Sequence, residues 1–184
     1  MNFVQPLTAL AAAALLAACA SGPAPVAVPP AIATAPHQPL AMSIAARGVQ
    51  IYECRATPAA AGDARSARHE WAFVAPEAEL LDADGHTIGR HGAGPHWTFE
   101  DGTRVTGRVT GRADAPQAGA IPWLLLESRT TPPNGPLNAM NDLRAIQRIN
   151  TSGGKAPAEA CQPGDAGSRV RVPYTADYLF HGAR

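Results

Sequence analysis

From Gly48 to the C-terminus, apolar and polar residues trade places over short runs that Gly, Pro, Asn and Asp cut off. In "GVQIYECRA", Val49 and Ile51 share one face and Tyr52 and Cys54 the other. "HEWAFV" and "AELLD" follow an Ala-rich polar loop at residues 56–68. "DADG", residues 82–85, is a turn with Gly where positive φ is tolerated. "HTIGRH" runs into the breaker "GAGP", and "HWTFE" is closed by "EDG". "TRVTGRVTGR" continues a hairpin, and "IPWLLLES" is an apolar run with both faces largely buried. "LRAIQRIN" starts as a helical turn after Asn141 and finishes as a strand. "SRVRVPY" and "DYLFHG" end the chain. Alternation of period two with closely spaced turns predicts an all-β domain, a single β-sandwich or barrel of about eight or nine strands. No segment carries a sustained helical stripe.

The first 46 residues have a different pattern. No charged side chain precedes Arg47, and all of them fall between Arg47 and Arg184. The chain therefore divides into three parts: 1–18, a signal peptide; 19–46, a Pro/Ala-rich disordered tether; and 47–184, the domain. Leu7 to Ala18 is a run of mostly Ala and Leu, shorter than the about 20 residues that span a bilayer. It fits the apolar core of a secretory signal. Residues 20–45 hold six prolines without a period and read as an extended spacer.

Leu16-Ala17-Ala18-Cys19 resembles the lipobox of bacterial lipoproteins. That resemblance makes Cys19 the lipidation site and the membrane the partner of the mature chain. Ala20 after it implies the outer membrane of the cell envelope. The region before the apolar run lacks Lys and Arg, a departure from the pattern. The competing reading is an ordinary cleaved signal with a chance cysteine.

Charge and cysteine content narrow the functional classes. Fifteen Lys+Arg balance fifteen Asp+Glu, which argues against a nucleic-acid partner. Seventeen Gly and eighteen Pro suit many short strands joined by turns. Without Cys19, two cysteines remain, Cys54 and Cys161. An even pair in an exported chain reads as a disulfide. The alternative, two zinc ligands, has no Cys-x-x-Cys spacing behind it.

"GVQIYEC", "LLDADGHTIGRHGAGPHWTFEDGTRVTG", "IPWLLLES", "IQRINTSGGKAPAEAC" and "RVPYTADYLF" occur in this order between residues 48 and 181. Together they resemble the exported bacterial and fungal family catalogued as domain of unknown function 3455. Its central motif corresponds here to Gly89, His91, Gly94, Pro95, Trp97, Asp101 and Gly102. His96 and the enlarged loop after Cys54 are departures. The resemblance implies export and a compact β domain. It implies no activity and assigns no catalytic residue.

Three groups of residues are candidates for chemistry. His91 sits among Gly89, Gly92 and Gly94, with Pro95 stiffening the exit. Trp97 shares its strand parity and would wall a ligand site, with Gln147 and Arg148 opposite. His91 and His96 are also candidates for Cu(II) or Zn(II), against the plainer reading of turn histidines; no cofactor is otherwise expected. Arg104, Arg108 and Arg112 share one face at period two, with Thr106 and Thr110 between them. They are either a face for carboxylate or phosphate or a charged edge that resists aggregation. "NTSGG" lacks the context of a nucleophile and reads as a turn. The function expected is an exported, membrane-tethered envelope lipoprotein that binds a small ligand or envelope component. The alternatives are a metal-assisted enzyme centred on His91 and a purely structural protein.

Overall fold

The computed structural model describes residues 26–57, 68–131 and 142–182. Cys19, the signal peptide and most of the 56–68 loop lie outside the described residues. The strands are β1 (Leu40–Ala56), β2 (His69–Leu81), β3 (Thr87–Gly92), β4 (His96–Phe99), β5 (Arg104–Ala113), β6 (Trp123–Thr131), β7 (Leu143–Gly153) and β8 (Arg169–Gly182). Each pairs antiparallel with the next in sequence, and β8 pairs with β1, closing a barrel. The ladder between β4 and β5 covers only Arg104–Thr106 of β5, so Arg108 and Arg112 lie on a stretch that pairs with β6 alone, where the charged-edge reading still applies.

Two pairs of expected strands are fused. "HEWAFV" and "AELLD" form the single strand β2, and "SRVRVPY" and "DYLFHG" form β8. In β2 a bulge breaks the alternation: Ile51 faces Ala75 while Tyr52 faces Phe73, so Val74 is extra. The helical turn expected after Asn141 is absent, and Leu143 already belongs to β7. The turn at 82–85 is as expected. Asp82 Oδ1 accepts from the backbone N–H groups of Asp84 and His86, and Gly85 takes φ 84°.

The domain begins earlier than residue 47. Met42, Ile44 and Ala46 alternate inward as the first part of β1, paired with Phe180, Tyr178 and Ala176. Before them, residues 26–39 cross the outside of the barrel as a strap rather than a free tether. A short 3-10 turn at Pro30–Ile32 places Ile32, fully buried, against Trp123 and Ile149. Gln147 Nε2 donates to the Ile32 carbonyl at 2.7 Å, and His181 Nε2 donates to Gln147 Oε1 at 2.9 Å. The strap runs so close to β5 that a Cβ on Gly111 would collide with the Ala31 carbonyl oxygen.

Cys54 and Cys161 form the expected disulfide, Cα to Cα 5.9 Å, across 107 residues of sequence. It pins the β7–β8 connection to β1. Backbone bonds from Cys54 N to Ser168 O and from Gly167 N to Cys54 O flank it.

Inward side chains divide the barrel in two. At one end Leu80, Phe99, Val105, Leu143, Ile146 and Phe180 fill the interior. The connections β1–β2, β3–β4, β5–β6 and β7–β8 all lie at the other end, as alternating strand directions require. There the interior is open.

Candidate functional site

A cavity of about 350 Å³ occupies the open end, a volume at the lower range of small-ligand sites. An eight-stranded barrel has room for its own side chains or one small ligand, and here the larger residues stop at Trp97 and Tyr178. Trp97, Leu124, Leu126 and Ile121 form its apolar wall; Gln50, Tyr52, His91, Arg148 and Tyr178 supply polar groups. The β3–β4 turn, Ala93-Gly94-Pro95, lies on the rim with Phe73 and Val109, both exposed.

His91 and Trp97 occupy opposed positions on β3 and β4, so both face inward. The imidazole stacks on the indole, ring centroids 4.6 Å apart and planes 17° apart, and Tyr178 lies 5.0 Å from the imidazole. Edge-on contacts continue the ring series from Trp97 through Phe180 to Phe99. The Nδ1–H of His91 donates to the His96 carbonyl at 2.8 Å, which leaves Nε2 as the ring's acceptor. Burial pulls the His91 pKa down from 6.5 to about 4, against a smaller opposing effect of the His96 carbonyl. The ring is therefore neutral at physiological pH.

The polar groups beside it are incompletely matched. Gln50 Nε2, Trp97 Nε1, Tyr174 OH and Tyr178 OH are buried without a well-formed hydrogen bond, although Tyr174 lies close enough to Gln50 and Tyr178, and Tyr178 to Arg148, to interact in looser geometry. A buried polar group left unsatisfied costs about 1–3 kcal/mol. Burial raises the pKa values of Tyr52, Tyr174 and Tyr178, while the nearby positive charge of Arg148 opposes it in each case. Arg148 sits between Leu124 and Tyr178 on the inner face of β7. Its Nε and Nη2 both donate to the Pro122 carbonyl, at 3.2 and 2.7 Å.

Of the four residues expected to converge, His91, Trp97 and Arg148 do so. Gln147 does not: neighbours along a strand point to opposite faces, and Gln147 lies on the outer face beneath the strap. The arginine row of β5 is also broken. Val109 faces Leu126 and Gly111 faces Leu125, so Thr110 is a bulge. Arg104 and Arg108 stay outside, Arg104 donating to Thr98 Oγ1 at 3.4 Å and Arg108 paired with Glu127. Arg112, beyond the bulge, turns to the cavity mouth. No single face carries all three.

The Nδ1 of each of His91 and His96 is engaged by a carbonyl, His96 O and Ala93 O, which leaves the Nε2 of each ring as the atom that could meet an ion. The one trio of candidate ligand groups among the described residues is Asp82, Asp84 and His86, and Asp82 is already bound to its own turn. In "NTSGG", Ser152 follows a bulge, with Asn150, Gly153 and Gly154 at positive φ. Ser152 lies within β7 itself, paired with Thr175, and not in the turn expected from the sequence. Tyr52 and Gln50 were not singled out from sequence. Their signal was a polar-aromatic alternation on an otherwise apolar strand.

No curated protein and no solved structure matches this chain. A family model does, over residues 34–182, and this range includes part of the strap and the whole barrel. The chain belongs to the DUF3455 family of proteins of unknown function.

Proposed function

We propose that this protein is an exported envelope lipoprotein, tethered through Cys19, whose barrel binds one small ligand. The observation that carries the reading is the open-ended cavity, whose lining residues Gln50, Trp97 and Tyr178 each hold a buried polar atom without a well-formed hydrogen bond beside an apolar and aromatic wall. Native interiors rarely leave such atoms unmatched, and an occupant that accepts hydrogen bonds would match them. The Cys54–Cys161 disulfide supports export, because such bonds persist in oxidising compartments.

Nile red, a neutral dye, tests the cavity directly. Wild-type protein is expected to bind it at one site per chain. Ala93→Trp, an exposed rim position, places a bulky ring over the mouth without disturbing the core, and should abolish binding. Undiminished binding in that variant would show that the dye site, and the reading with it, lies elsewhere.

A further inference from the structure

We propose that the occupant is an anion with an apolar body, its single oxyanion head held by Arg148 and Arg112. The inference rests on reading the cavity as a ligand site and adds the chemical class.

The charge around the cavity has one sign. No acidic residue lines it, whereas two arginines do. Six other arginines, Arg47, Arg55, Arg108, Arg144, Arg169 and Arg171, have carboxylate partners. Arg112 and Arg148 pair with no carboxylate among the described residues; the same holds for Arg68, Arg90, Arg104 and Arg129, but those four are exposed and none lines the cavity. Asp114, exposed two positions beyond Arg112, makes no ion pair with it. Arg148 is half-buried and directs two of its N–H groups at one backbone carbonyl. A carbonyl does not neutralise a guanidinium, and a partly desolvated cation favours a counter-ion. The fork geometry of arginine suits a carboxylate or phosphate.

A second observation is independent of charge. The buried atoms of the lining that lack a well-formed bond are the Gln50 amide nitrogen, the Trp97 indole nitrogen and the Tyr178 hydroxyl, and every one of them can donate. A ligand that satisfies them must bring acceptors. An ionised carboxylate or phosphate is rich in acceptors, and an alcohol offers fewer. Leu124 lies between Arg112 and Arg148 in the sheet, and the lining continues from it through Leu126 and Trp97, a surface that suits an apolar body. Placement of Arg112 at the mouth depends on the Thr110 bulge; without it the side chain would point outward like Arg108.

Octanoate, octanol and octyl phosphate share one body and differ in the head. Calorimetric titration of each into the exported full-length protein reads the head preference. Octanoate or octyl phosphate should bind at least about ten-fold more tightly than octanol, equivalent to about 1.4 kcal/mol. The tighter of the two anions identifies carboxylate or phosphate as the head. In Arg112→Gln, whose side chain has no hydrogen-bond or ion-pair partner among the described residues, the anion-to-alcohol ratio should fall. In the double variant Arg112→Gln/Arg148→Gln it should approach unity. Equal affinity for octanol and both anions in the wild type would overturn the anion assignment but leave the cavity as a site. So would a ratio that survives in the double variant. Binding of none of the three, together with no cavity-dependent binding of Nile red, would remove the ligand site itself.

Discussion

The His91 imidazole lies flat on the Trp97 indole, 4.6 Å between ring centroids, with its Nδ1 tied to the His96 carbonyl across the hairpin. The pair marks where the filled interior ends and the cavity begins. It also places a titratable ring where it cannot readily be charged.

That placement predicts acid sensitivity. His91 has a pKa of 6.5 when unperturbed and about 4 in the fold, chiefly through burial. Between those values the unfolded chain holds a proton that the fold refuses. Stability is therefore complete above about pH 6.5 and declines as pH falls towards about 4, by about 3 kcal/mol from this residue. His181, whose pKa burial also lowers, adds loss in the same direction. Urea unfolding at about pH 7 and about pH 4.5 should show a smaller difference for His91→Gln than for wild type. Parallel losses in the two proteins would rule His91 out as the source.

The disulfide predicts a second stability effect. Its 107-residue separation is long enough for loop-closure entropy to reach about 4.7 kcal/mol, and measured losses for native bridges run about 2–5 kcal/mol. The Cys54→Ser/Cys161→Ser variant should melt well below the wild type under oxidising conditions. Reduced wild type should match it. If wild type purified without reductant carries two free thiols by mass spectrometry, the expectation fails at its premise.

These features were legible to different degrees, for physical reasons. The strands, the 82–85 turn and the disulfide follow from local period and cysteine parity. The barrel's closure, by contrast, depends on β8 meeting β1, a contact between the two ends of the domain. Arg112 was misplaced because a single extra residue, Thr110, reverses every later side chain on its strand. Gln147 and Arg148 were joined in one site although adjacent strand positions diverge. The segment 26–46 looked like a spacer because Ala and Pro give little amphipathic contrast. Its order comes from Ile32 docking on a distant outer wall, which no local pattern encodes.

Cys19 lies outside the described residues, and its acylation is a proposal from the Leu-Ala-Ala-Cys run. Cell fractionation should place the wild type in the membrane fraction and Cys19→Ala in the soluble one. Mass spectrometry of the wild-type N-terminus should show a lipid on that cysteine. A soluble, unmodified wild type would end the tether model.

The strap gives the last prediction. Ile32 is fully buried against Trp123 and Ile149, and Gln147 holds its carbonyl. Ile-to-Ala changes in such sites cost about 2–5 kcal/mol. Here the loss can be absorbed by undocking the strap, because the barrel closes through β1–β8 pairing without it. Ile32→Ala should therefore expose the Trp123 indole, shift its emission to longer wavelength, and speed amide exchange across residues 26–39. The cavity is on the inner face, and the strap crosses the outer one. Nile red affinity should accordingly stay close to that of the wild type while the strap comes loose. Loss of dye binding in step with strap exchange would show that the strap and the cavity form one cooperative unit, and the separation of inner and outer faces argued from β7 would be wrong.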